Sequence, residues 1–405
     1  MPGRARPDAA MPDPLSGLTP EQRLRLQAFM AYRVAHPTLV RVDAELSEVL
    51  ADPGPTLLVL LVGPTGVGKT TLLQALTARI LEREADDLRR NPARIPIAGV
   101  SVIQTENGRF DEADYYRRAL AALHEPLIQR KIAAHDFASN PLLKPPPRLA
   151  SVADLRRLLE RVLVWRGPLA FWLDNAHALA SGWVEQRLEW LRSLADATDT
   201  PHVLAGTYDL LHMWNLNGQL GRRSHDIHFG RYHLDRATDQ DAFLRVLVSF
   251  EQQLPEGTNL LDGWELLYER SIGCVGIIKD WLTLAYRTAL KAGSETVTVE
   301  HLERTAPPPD KAWRQLEEAS LGERRLSARI EAHTRLRIAL GLEEPPTNGA
   351  RVVPEAGEPP PMTAARERPR RAKPATGRRP GERRPVRDPA YSMRPGPRLQ
   401  SETTL

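Results

Sequence analysis

At 405 residues the chain has room for two to three domains and a large buried core. Its 55 Lys and Arg against 51 Asp and Glu give a net charge of only +4, but the distribution is uneven. From Pro361 onward, 12 basic and four acidic side chains carry +8, which leaves −4 on the first 360 residues. Cys274 is the one cysteine, which excludes an intramolecular disulfide and a cysteine-rich zinc module. The longest aliphatic run, residues 57–62, falls far short of the ~20 apolar residues that span a bilayer. The basic N-terminus, Met1 to Pro7, has no apolar stretch behind it of the kind a secretory signal carries. The expectation is a cytoplasmic protein that does not engage a membrane.

Residues 1–20 hold five prolines and no periodic apolar pattern, which predicts a disordered leader. Helical periodicity starts near Glu21 with Leu24, Leu26, Phe29 and Met30, and resumes over 39–50. Residues 56–62 are continuously apolar and bounded by Pro and Gly, the pattern of a central strand buried on both faces. Residues 97–103, 169–173 and 202–206 share that character. Helical stretches at 70–83, 112–123, 153–164 and 184–197 separate them, and Ser151 with Asp154 resembles a capping box for the third. Strands alternating with helices predict an α/β fold, an open parallel sheet with crossover helices. A short strand at 226–229 follows.

After about Arg236 the pattern turns helical, over 241–251, 263–271, 275–292 and 299–305, with a charged helix over 310–340. Beyond residue 342, 13 of the 35 prolines and few large apolar residues predict a disordered tail.

Gly63-Pro64-Thr65-Gly66-Val67-Gly68-Lys69-Thr70 fits the P-loop pattern of Gly, four residues, then Gly-Lys-Thr, with Thr71 following. A buried strand ahead and an amphipathic helix behind supply the context this motif requires. Its glycines let backbone N–H groups face phosphate oxygens. Lys69 is placed to reach the β- and γ-phosphates of ATP, and Thr70 to offer a hydroxyl to Mg²⁺. Asp174 ends the apolar run 169–173 and is the candidate second Mg²⁺ holder from a neighbouring strand; the alternative is a helix cap.

Asn175 then stands where such an ATPase usually places Glu to activate water, and an amide cannot accept a proton as a general base. Three readings stay open: slow conversion of ATP and water to ADP and phosphate, hydrolysis through another base such as His177, or a switch that binds without turnover. Thr207 ends another strand, placed to hold water or sense the γ-phosphate, or simply to open a helix. Arg222 and Arg223 precede the strand at 226–229, either as solvated surface or as donors to a neighbour's phosphate site.

The order of P-loop, Leu173-Asp174-Asn175-Ala176-His177, Leu204-Ala205-Gly206-Thr207 and Arg222-Arg223 with His228-Phe229-Gly230 resembles that of AAA+ ATPases. Ser271-Ile272-Gly273-Cys274-Val275-Gly276 looks like the opening of their lid. More narrowly, the set is similar to the TnsC/TniB family of ATP-dependent regulators of DNA transposition, over roughly residues 20–310.

Together with the element pattern, that resemblance gives an expected division into a disordered leader over 1–20, a P-loop AAA+ domain over 21–236, a helical lid and extension over 237–341 and a Pro/Arg-rich disordered tail over 342–405. It implies a ring or filament of identical subunits on double-stranded DNA, linking a TniQ-like target-selection protein to a DDE transposase of the TnsB/TniA kind. Thr207 takes the sensor-1 place and Arg222 that of the arginine finger, with Arg223 as fallback. Ile277 occupies the place of a basic sensor-2 residue in some relatives, with Lys279 as the possible replacement.

Arg109, in Asn107-Gly108-Arg109-Phe110, falls in a region that lines the DNA channel of relatives, and Arg117, Arg118, Arg130 and Lys131 lie near it in sequence. A solvated helix face is the alternative for each. The basic tail suits phosphate neutralisation without sequence reading, or an acidic partner. Two other functions compete: a helicase-loader-like AAA+ motor, and a signalling or defence NTPase switch without a DNA role. ABC-type and GTPase readings lose support because neither Leu-Ser-Gly-Gly-Gln nor Asn-Lys-x-Asp is present.

Overall fold

The computed structural model describes residues 16–342, apart from 55–56, 105–109, 127, 129–150, 181–183, 212–223 and 295. The chain divides into two units, Met1–Glu343 and Glu344–Leu405; all that follows concerns the first. Arg109, Arg130, Lys131, Arg222 and Arg223, the leader up to residue 15 and the tail lie outside the described residues.

Two helices, α1 (Pro20–Ala31) and α2 (Pro37–Ala51), precede the sheet. The Thr19–Gln22 capping box starts the first, and the His36 ring accepts from the Leu39 N–H to start the second. Strands β1 (Leu58–Val62), β2 (Ile97–Ser101), β3 (Ala170–Asp174), β4 (His202–Gly206) and β5 (Ser224–His228) form one sheet in the order β2-β3-β4-β1-β5. Every pairing in it is parallel. Crossovers run through α3 (Lys69–Arg83), α4 (Ala85–Arg90), α5 (Glu112–Ala122), α6 (Val152–Arg166) and α7 (Val184–Thr198).

Alternation along β1 divides the core. Leu58, Leu60 and Val62 pack with Tyr116, Leu155 and Leu194 from α5, α6 and α7, while Val59 and Leu61 pack with Val42, Leu46 and Leu72 from α2 and α3. Helices therefore cover both sheet faces, and the β1 burial pattern has no exposed position. Ser151 and Asp154 form the expected reciprocal cap of α6. The six-residue α4 escaped the periodicity because it buries no residue, so it has no apolar stripe to read.

The helical part is α8 (Ala237–Glu251), α9 (Trp264–Ser271), α10 (Val275–Lys291), α11 (Val299–Thr305) and the 31-residue α12 (Pro309–Ala339). Phe243, Phe250, Leu267, Ile278, Leu282 and Leu302 build its separate core, which also takes Leu26 and Phe29 of α1. This is the helical lid of an α/β P-loop fold. No described helix is long and apolar enough to cross a membrane.

Strand order adds one correction to the sequence reading. Asp174 does not end a strand next to β1, because β4 pairs with both β1 and β3 and lies between them. The P-loop and Asp174 meet across the tip of β4, so Gly206 and Thr207 stand between them.

Candidate nucleotide site

Residues 63–68 connect β1 to α3. Gly68 sits at the helix N-cap with φ of 114°, a left-handed conformation that a side chain would strain. No side chain caps α3, so the N–H groups of its first turn are left for a ligand, at the positive end of the helix. Lys69 is 9% exposed, and its ammonium donates to the carbonyls of Gly63 and Pro64, both at 2.8 Å. Burial pushes that ammonium down to about 8, against the opposing pull of Cys274 and Asp174. Phosphate oxygens would replace neutral carbonyls with charged partners, which suits a cation in low dielectric.

Thr70 Oγ1 donates to Asp174 Oδ2 at 2.7 Å, and Asp174 Oδ1 accepts from the Asn175 N–H at 2.9 Å. Asp174 is 6% exposed. A hydroxyl and a carboxylate held together at the first turn of α3 are the hard oxygen donors that Mg²⁺ takes alongside phosphates. Among the described residues no group of three or more His, Cys, Asp or Glu could hold a metal ion by itself.

Asn175 adopts φ of 54°, which Asn tolerates better than most side chains, and its amide donates to Ser101 Oγ at 3.0 Å. Its side chain is thus tied to the tip of β2. His177 follows on a short 3₁₀ turn, Ala176–Ala180, with its Nδ1 buried and without a hydrogen-bond partner. Burial lowers its pKa, with Asp209 opposing, so the ring is neutral around pH 7. Thr207 Oγ1 donates to Asp209 Oδ2 at 3.2 Å.

A cleft of about 420 Å³ brings these groups together, with Thr65 to Thr71, Asp174, Asn175, His177 and Thr207 in its wall. Its other end is built from residues that no motif marks. Tyr32 and His36 come from the α1–α2 connection, Phe250 from α8, and Gly276, Lys279 and Asp280 from α10. His36 Nδ1 lies 2.8 Å from the Tyr232 hydroxyl. A sequence signal existed only for the elements carrying these residues, not for their convergence.

Lys279, in the cleft wall, donates from its ammonium to the Phe29 carbonyl and lies 3.6 Å from the centroid of the Phe29 ring. That contact ties the lid to α1. Arg118 is exposed and paired with Asp114 one turn earlier at 2.7 Å, while Arg117 is half-buried on the same helix.

A family model described as an AAA domain matches residues 54–214. Comparison with curated proteins gives no match. Among solved structures, the chain is similar to the ORC2 protein of Aeropyrum pernix in its ADP form, with 14% identity, TM-score 0.45, and coverage of 69% of this chain and 71% of that one. It is also similar to the Aeropyrum pernix ORC1 protein in complex with DNA, with 18% identity, TM-score 0.44, and coverage of 73% and 67%. A Walker-type ATPase of Pyrococcus abyssi has 21% identity and TM-score 0.40, with coverage of 71% and 76%. The matched residues 54–214 include the P-loop, Asp174 and Thr207.

Proposed function

We infer that this AAA-domain protein is an ATP-gated regulator of DNA transposition. In this reading it oligomerises on double-stranded DNA and connects a target-selection protein to a DDE transposase. The observation that carries the nucleotide part is the Thr70–Asp174 hydrogen bond, which joins the P-loop to the β3 tip across β4. Lys69 and the α3 N-terminus hold the phosphates, Thr70 and Asp174 hold Mg²⁺, and Thr207 senses the terminal phosphate. Arg222, with Arg223 as fallback, completes a neighbour's site in the oligomer. ATP bound between subunits stabilises the assembly by linkage.

Asn175 sets the tempo. With an amide in place of a carboxylate, and that amide engaged by Ser101, the bound triphosphate persists and hydrolysis is slow. The DNA and transposition part rests on the motif order of the sequence. Arg109, Arg117, Arg118, Arg130 and Lys131 are the candidate phosphate-backbone contacts, and the basic tail is a further handle on DNA or a protein partner.

The test is MgATP-dependent assembly on duplex DNA, viewed by electron microscopy, for the full chain and Lys69→Ala. Filaments or rings that need both ATP and Lys69 support the reading. Assembly unchanged in Lys69→Ala removes the ATP gate. Absence of duplex binding at low salt with ATP favours the signalling-switch reading, and fast DNA-stimulated hydrolysis favours the loader-like motor.

A further inference from the structure

A second chamber, of about 320 Å³, adjoins the cleft on the side of the β4 tip. It shares Thr65, His177 and Thr207 with the cleft, so these three residues face both spaces. Its far wall is α12, which contributes Gln315, Glu318 and Arg325. The last described helix thus returns over the phosphate side of the P-loop.

Its position is fixed by specific contacts. At Gly322 the helix backbone rests on the Tyr208 ring, since a Cβ there would lie 2.0 Å from Tyr208 Cγ. Tyr208 directly follows Thr207, and its hydroxyl lies 2.9 Å from His228 Nε2. One residue later, Glu323 takes two hydrogen bonds from Arg231, at 2.8 and 3.1 Å, in a bidentate pair whose side chains are 19% and 9% exposed. Arg231 also donates to the Ile272 carbonyl at 3.3 Å, so α12 is tied to the connection that opens the lid.

Arg325 lies one helical turn beyond Gly322, on the face turned to the chamber. Among the described residues it makes no hydrogen bond or ion pair, and neither does Glu318, whereas Asp209 already accepts from Thr207. With Asp209 and Glu318 in the wall, the chamber is a poor site for a free anion. An anion anchored by Lys69 and the α3 N-terminus is a different matter, because its attachment does not depend on the chamber. A planar guanidinium with open donors matches phosphate oxygens.

We propose that Arg325 is a phosphate ligand supplied in cis by α12, meeting the terminal phosphate of a nucleoside triphosphate held in the P-loop. The proposal rests on the P-loop reading above. Arg325 distinguishes triphosphate from diphosphate, and the Arg231–Glu323 pair with the Gly322–Tyr208 contact positions it.

The experiment measures binding of Mg²⁺ with a non-hydrolysable ATP analogue, and of MgADP, by calorimetry on the full chain. Arg325→Ala is expected to weaken the triphosphate about tenfold or more while leaving ADP within about twofold, with Arg325→Lys intermediate. Retained ADP affinity doubles as evidence that the variant folds. Unchanged triphosphate affinity in Arg325→Ala, or an equal loss for both nucleotides, overturns the proposal. Arg324→Ala, an exposed neighbour on the same helix, is expected to change neither, and an equal effect there also overturns it. Failure of the unsubstituted chain to bind either nucleotide would instead remove the P-loop reading itself.

Discussion

Gly276, in the first turn of α10, lies so close to Gly66 of the P-loop that a Cβ on it would stand 2.4 Å from the Gly66 carbonyl oxygen. The contact is reciprocal, because a Cβ on Gly66 would lie 2.4 Å from Ile277 Cγ1. The lid is therefore seated on the phosphate loop through backbone, and the cleft between them owes its shape to two missing side chains. Gly276→Ala adds helix propensity to α10 worth about 1 kcal/mol, yet forces the lid away from the loop. The expected outcome is weaker binding of ATP and ADP alike, by about tenfold, with the melting temperature retained. Calorimetry checks it, and undiminished affinity for both nucleotides would mean that the lid is free to lift without cost.

Asn175 combines a left-handed backbone with an amide bonded to Ser101. Asn175→Glu loses that hydrogen bond and pays roughly 1 kcal/mol of backbone strain, while placing a carboxylate beside Asp174. Steady-state phosphate release is expected to rise at least severalfold, and thermal stability to fall slightly. His177→Ala separates the remaining possibilities. If wild-type turnover is measurable and disappears in His177→Ala, the His177 ring is the proton acceptor. If it persists, water reacts without that base.

Acid should weaken the fold in a defined window. His202 is fully buried, with Nδ1 2.8 Å from the Thr200 carbonyl and Nε2 without a partner. Burial holds His202, His36 and His228 down to about 4. Each folded-state value lies below the unfolded value of about 6.5, so the unfolded chain takes up more protons as pH drops. The stability these neutral rings contribute is complete above about pH 6.5 and is lost toward pH 4. For His202 alone the loss at pH 5 is about 2 kcal/mol. Urea denaturation at pH 7 and pH 5 should show the decrease, and His202→Leu should make it smaller. A free energy independent of pH over that range would contradict the assignment.

The Arg231–Glu323 pair holds α12 against the rest of the fold. Burial alone would raise the Glu323 carboxyl, but hydrogen bonds from His233 and Arg231 keep it below the ordinary carboxylate range. Glu323→Ala leaves Arg231 buried without a counter-ion and is expected to cost about 3 kcal/mol, seen as a lower denaturation midpoint. Arg231→Met with Glu323→Leu, which replaces both charges, should recover much of that loss. A double variant as unstable as Glu323→Ala would show that the ion pair is worth more than its burial costs.

The order in which these features became legible follows from the range of the forces behind them. Residues 63–70 read as a P-loop because glycine's backbone freedom, the lysine and the hydroxyl act within a few residues, and β1, β4 and Asp174 stood out by short apolar runs. Helix starts such as Ser151–Asp154 are equally local. Strand order was not local: which strand lies beside β1 depends on how α5, α6 and α7 cover one face while α2 and α3 cover the other. That packing placed β4 between the P-loop strand and Asp174. It also turned Lys279 toward Phe29, seated Gly276 on Gly66 and returned α12 to Tyr208 through a contact spanning more than a hundred residues. The sequence by itself determined that a P-loop motif joins a buried strand to a helix, which is where the candidate nucleotide site lies. Only tertiary packing decided what closes that site, because the closing residues are brought together by burial of distant apolar faces and carry no pattern of their own.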